Sequence, residues 1–147
     1  MKKTILVITL AMLVVLVVIQ CSKEKDPSPK EQKMHMLTDG AWMVDKVHNN
    51  ADGDITSLYA TFAIAFSKSP FGNFEGDYYV AAGGRAFPDV YGHWRFNEDL
   101  SRLILDNGRE MEISLSDKIL TLRFSLAPTG GRMDGLSGDF TFTLVRK

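Results

Sequence analysis

The sequence predicts an all-β domain of about eight antiparallel strands closed into an up-and-down barrel, with a two-sheet sandwich as the fallback. Three observations carry this. Apolar and polar residues alternate with a period of two through much of the chain, which puts successive side chains on opposite faces of a strand. The alternating runs are short, and most are joined by turns containing Gly, Asn, Asp or Ser. No segment of the domain shows the apolar stripe of an amphipathic helix, apart from a single turn around Glu31 to Leu37. Alternation with one wet face calls for antiparallel neighbours.

The chain opens with Met1-Lys2-Lys3 and runs from Thr4 to Ile19 without a charge, proline or glycine. It then reaches its single cysteine, Cys21, and turns polar at Ser22-Lys23-Glu24-Lys25-Asp26. A positive start, a short apolar stretch and a cysteine at its exit resemble the signal peptide of bacterial lipoproteins. The resemblance implies removal of residues 1–20 and lipidation of Cys21 by palmitate-type acyl chains, which together anchor the protein in a membrane. Where the family carries a small residue before the cysteine, this chain has Gln20. Ser22, standing where an aspartate would otherwise be, goes in that family with the outer membrane. The run Lys23 to Asp26 is similar to tethers that lead to the outer face. An outer membrane lipoprotein of the cell envelope, facing the periplasm or the surface, is what the resemblance implies. The competing reading is an uncleaved anchor. The apolar run lies between a signal's core of about 7–15 residues and a span of about 18–20.

Without residues 1–20, 127 residues remain, enough for one domain. Lys2 and Lys3 leave with the signal, so 15 basic residues face 18 acidic ones and no basic face stands out. That balance excludes nucleic acid as a partner. With the only thiol committed to lipid, burial alone must hold the fold. Pro27-Ser28-Pro29-Lys30-Glu31-Gln32-Lys33 is polar and carries two prolines, which reads as a tether. Residues 21–36 are then the lipidated cysteine and flexible tether, and residues 37–147 the folded domain.

Within the domain, Trp42 to His48 is the first strand, and Asp52-Gly53 marks a hairpin turn after it. Ser57 to Lys68 puts Leu58, Ala60, Phe62, Ile64 and Phe66 on one face. Gly76 to Ala81, Gly92 to Phe96 and Arg102 to Leu105 follow. Glu110 to Leu115 turns Met111, Ile113 and Leu115 inward. Lys118 to Leu126 does the same with Leu120, Leu122, Phe124 and Leu126, and Gly138 to Arg146 with Phe140, Phe142 and Leu144. Two connections are longer than turns: 81–90, with Arg85 and Phe87, and 127–137, with Arg132. Long loops in compact domains are often functional.

Gly40-Ala41-Trp42, opening the first strand, is similar to the Gly-x-Trp signature that opens lipocalin barrels. Arg146 stands where that family places a basic residue over the tryptophan. The Trp94-Arg95-Phe96 strand, the Leu103 to Leu105 strand and the last strand also resemble small lipocalin-like domains of bacterial lipoproteins. The likeness covers about residues 37–147, and the sequence stops after its last strand, where full lipocalins carry a helix. It implies an up-and-down barrel that holds a small apolar ligand.

Eight strands enclose a space that side chains can just fill or leave open for one small molecule. The inward residues are bulky: Trp42, Phe62, Phe66, Trp94, Phe96, Phe124, Phe140 and Phe142. If the barrel is hollow, Trp42, Phe62, Trp94, Phe96 and Phe124 line the ligand site, with Arg85 and Arg132 at the mouth to orient a carboxylate. If it is filled, these aromatics are core, and the protein is an envelope module whose loops or outer face bind a protein or a glycan. Phe71, Phe74, Tyr78, Tyr79 and Phe87 are then the aromatics to look for at the surface.

Other chemistries find little support. Asn50, Asp52 and Asp54 repeat like the opening of a calcium loop, but Ile55 replaces the required glycine and Thr61 the closing glutamate. His35, His48 and His93 show no zinc-ligand spacing. No Gly-x-Ser-x-Gly elbow is present, and Glu110 and Glu112 sit on the outward side of their strand. No metal, cofactor or catalytic residue is expected.

Overall fold

The computed structural model describes residues 26–71, 74–128 and 136–146. The apolar start of the chain, Cys21 and Arg132 lie outside these residues. Among them, no helix is long and apolar enough to cross a membrane.

The first element is a helix, α1 (Pro29–Thr38), which begins inside the stretch expected to be tether. Its start is written in the sequence. The Ser28 hydroxyl accepts from the Glu31 backbone N–H at 3.3 Å, the Glu31 carboxylate accepts from the Ser28 N–H at 2.7 Å, and Pro29 occupies the first turn. That reciprocal pair satisfies two otherwise orphaned donors. Met34 and Leu37, three apart and on one face, are buried.

The strands are β1 (Ala41–Asn49), β2 (Gly53–Asp54), β3 (Ala63–Lys68), β4 (Glu75–Ala81), β5 (Tyr91–Phe96), β6 (Arg102–Leu105), β7 (Glu110–Leu115), β8 (Ile119–Leu126) and β9 (Gly138–Arg146). Each of β3 to β9 pairs antiparallel with its sequence neighbour, β1 pairs with β3, and β9 returns to pair with β1. This is a closed eight-stranded up-and-down barrel, with β2 as one extra strand hydrogen-bonded to the end of β1. Closure leaves only short edges, which removes the usual hazard of an open sheet. The register between β1 and β9 shifts between Val44 and Lys46, a bulge that bends β1 around the barrel.

One expected strand is shorter than its pattern. Ser57 to Phe62 is not extended: Thr56–Tyr59 is a 3-10 turn, Leu58 is 64% exposed, and Tyr59 is buried instead. Thr56 causes the change. Its hydroxyl bonds the Asp54 carboxylate at 2.6 Å and its N–H the same carboxylate at 3.0 Å, which starts a turn rather than a strand.

Inward side chains of every barrel strand meet in one core that includes Trp42, Phe62, Phe66, Trp94, Phe96, Phe124, Phe140 and Phe142. By the antiparallel order, one mouth holds α1 and the turns at 97–101 and 116–118, beside residues 69–71 and 74. We call it the near mouth. The far mouth holds the 3-10 turn and the loops at 82–90 and 106–109, beside residues 127–128 and 136–137.

Candidate functional site

Both mouths are closed by side chains. At the near mouth α1 lays Met34 and Leu37 against the barrel, and the Trp42 indole N–H donates to the Leu37 carbonyl at 3.0 Å. Arg146 lies over the Trp42 ring, with its guanidinium carbon 4.5 Å from the centroid. It also pairs with Asp39 at 3.0 Å and donates to the Met36 carbonyl, fastening the helix to the first and last strands. Lys33 donates to the Leu100 carbonyl and sits 6.0 Å from the Phe96 centroid.

At the far mouth the loop between β4 and β5 folds inward. Phe87 packs 5.1 Å from Phe62, 5.3 Å from Phe124 and 5.5 Å from Phe142, and Tyr59 stands 5.0 Å from Phe142. Arg109 lies across this cluster, 5.6 Å from the Phe87 ring and 5.2 Å from the Phe124 ring, and donates to the Ala86 carbonyl. Burial pulls its guanidinium below the usual arginine range, and the Asp89 and Tyr78 charges oppose that shift. Gly83 is required for the fold of the loop: a Cβ there would sit 2.3 Å from the Phe87 carbonyl oxygen and 2.7 Å from the Val80 side chain.

The ligand-site candidates are therefore placed as follows. Trp42, Phe62, Trp94, Phe96 and Phe124 come together, all within the packed core. Arg85 is exposed in the far-mouth loop, and Arg132 lies outside the described residues, so no pairing of the two is described. Two aromatics expected at the surface are corrected: Phe87 is 3% exposed because it stoppers the far mouth, and Tyr78 is 1% exposed because it faces inward over Gly92. A Cβ on Gly92 would lie 2.7 Å from the Tyr78 hydroxyl, so the glycine makes room for the ring. Burial, then the Asp106 and Asp89 charges, raise the Tyr78 phenol above its ordinary value. Phe71 is exposed as expected, and Phe74 is half-buried.

Outside the barrel, one wall differs from the rest. Tyr79 on β4 and Tyr91 on β5 are register partners, so their side chains stand side by side pointing outward, 57% and 59% exposed. Val90 beside them is exposed as well. The His93 ring nitrogen meets the Asp77 carboxylate at 2.5 Å, and the His93 and Tyr91 rings meet edge to face at 5.9 Å. A groove of about 340 Å³ includes Ala65, Ser67, Asp77, Tyr79 and Tyr91. A second, of about 400 Å³, shares Asp77 and continues past Glu75, His93, Arg95 and Asp106. The hairpin at Asp52-Gly53 explains Asn50, Asp52 and Asp54: the Asn49 side-chain oxygen accepts from the backbone of Ala51 and Asp52, and Gly53 takes φ +76°. Among the described residues, no three His, Cys, Asp or Glu side chains gather to hold a metal.

No protein-family model matches this chain, and no curated protein matches it either.

Alternation along β4 could have separated the two tyrosines expected together at the surface, because Tyr79 has the parity of Asp77 and points outward whereas Tyr78 has that of Val80 and points inward. Nothing local in the sequence signals Arg109. Its role comes from the β6–β7 turn passing beneath a loop some twenty residues earlier in the chain.

Proposed function

We propose that this chain is a membrane-anchored envelope lipoprotein, tethered through Cys21, whose lipocalin-like barrel is a solid scaffold and whose outer wall binds a partner. It does no chemistry of its own. The observation that carries this reading is the packed interior: rings from strands, a loop and a 3-10 turn meet at centroid distances of 5.0 to 5.7 Å, which leaves them in ordinary contact. The grooves along the barrel walls are lined mainly by outward-facing side chains, and the groove of about 600 Å³ at the near mouth lies against α1 rather than inside the barrel. The lipocalin likeness gains support from Arg146 stacked on Trp42 across the closure of β1 and β9. Since the chain enters the domain through α1, a tether ending at Ser28 would attach at the near mouth and leave the far mouth and the walls accessible.

One observation favours the second reading, an apolar ligand inside the barrel. Phe87 is supplied by a loop, so it can withdraw without breaking a strand ladder, and its departure would open a phenyl-sized space among Phe62, Phe124 and Phe142.

Mass spectrometry of the purified protein under native and denaturing conditions separates the two readings. Apo protein that also ignores a panel of fatty acids and aromatics is the outcome expected. A reproducible extra mass released on unfolding would overturn the solid-barrel reading. The anchor has its own test: Cys21→Ser should move the protein from the membrane pellet to the soluble fraction. Retention at full precursor length would mean an uncleaved span.

A further inference from the structure

The outer wall of β4, β5 and the end of β6 joins an aromatic pair to an acidic trough, and that combination specifies its occupant. The two grooves there meet at Asp77 and together hold three carboxylates, Glu75, Asp77 and Asp106, against one guanidinium, Arg95, beside the His93 imidazole. A surface of that sign repels phosphates and anionic membranes and attracts cations. At one end stand the exposed faces of Tyr79 and Tyr91, whose negative ring faces also draw cations. Planar guanidinium groups satisfy both halves at once, stacking flat on a tyrosine while forking onto a carboxylate. An ammonium group reaches the carboxylates as a point charge and stacks poorly. The adjoining β6–β7 face shows what an ordinary face looks like in this protein. There the charges neutralise one another, Arg102 pairing with Glu110 at 3.0 Å and Glu112 at 4.0 Å, and no exposed aromatic stands among them.

We propose that this wall is the docking surface for an arginine-bearing segment of a partner protein, laid along the trough with at least one guanidinium over the Tyr79–Tyr91 pair. The inference rests on the outer-wall reading above and names the chemistry of the partner.

The test uses the full chain in a neutral detergent, titrated calorimetrically with capped hexaarginine, capped hexalysine and chitohexaose. Hexaarginine should bind, hexalysine should bind about tenfold more weakly or worse, and the saccharide should not bind. Tyr79→Thr with Tyr91→Thr, which keeps strand-forming residues on an exposed face, should weaken hexaarginine by about tenfold. Asp77→Asn, with both rings in place, should weaken it several-fold. Glu110→Gln with Glu112→Gln, on the adjoining β6–β7 face and already engaged by Arg102, should change little. Equal binding of the two peptides, indifference to both wall variants, an equal loss from the Glu110/Glu112 variant, or preference for the saccharide would each overturn the proposal. None of these failures restores a hollow barrel, since that is decided by the mass of bound small molecule.

Discussion

The two mouths of this barrel are closed by unlike means. At the near mouth a regular element does it: α1 satisfies its own backbone, caps its own first turn and needs only two apolar side chains, Met34 and Leu37, to seat it. At the far mouth a loop without a ladder drops a single ring, Phe87, among three others, with Arg109 across the top. A helix that loses one contact remains a helix. The loop has its position only from the ring and the groups that hold it, so the far mouth should be the more brittle of the two.

Substitutions test that contrast from the largest effect down. Phe87→Ala should cost about 4 kcal/mol in urea unfolding, and the same variant should make 82–90 the fastest-exchanging backbone in the domain. Leu37→Ala should cost about 3 kcal/mol but leave α1 protected from exchange in its first turns. If the two variants instead loosen their mouths equally, the contrast is wrong. The arginines come next. Arg146→Met should cost about 2 kcal/mol, because its side chain is largely buried, stacks on Trp42 and serves the Met36 carbonyl. Arg109→Met should cost about 1 kcal/mol, since the methionine stem keeps covering Phe87 and Phe124. Ser28→Ala should cost about 1 kcal/mol at most and act only on the first turn of α1.

The finest comparison is between one aspartate turn at each mouth. Asp54 at the far mouth is held below its ordinary value of 3.8 chiefly by the Thr56 hydroxyl, and Asp99 at the near mouth chiefly by the Ser101 hydroxyl. A carboxyl whose folded value is depressed adds stability above its unfolded value and loses it as pH falls through the folded one. Both turns should therefore weaken only below about pH 4. Carboxyl-carbon NMR titration checks this, with Thr56→Val and Ser101→Ala returning each midpoint toward 3.8.

The barrel walls were legible because period-two alternation is a local signal: Arg102 to Leu105, Glu110 to Leu115 and Gly138 to Arg146 form strands with the bounds their patterns suggest. The mouths were much less so. Ser28-Pro29 with Glu31 is a helix start in plain view, but the same prolines also describe a tether, and only the burial of Met34 and Leu37 decides between them. Leu58, Ala60 and Phe62 imitate a strand, yet Thr56 diverts the backbone into a turn just before them. Phe87 sits in a Gly-rich stretch that reads as a solvated tip. Its place in the core depends on Arg109 and on rings from β8 and β9, far along the chain. The aromatic list for the interior was right in composition, and what it could not convey was that loop and turn residues would complete the packing.

The attachment of α1 has a mechanical consequence. A pull applied upstream of Pro29 reaches the helix before any strand, and the helix is joined to the barrel by side-chain bonds: Trp42 to Leu37, Arg146 to Met36 and Asp39, and Lys33 to Leu100. Those bonds lie at different points along α1, so they meet the load one after another. By contrast, β1 is laced to β3 and β9 on both edges and shares any load across many ladder bonds at once. Under tension from its N-terminal side, the protein should lengthen first by peeling α1, while the barrel stays shut.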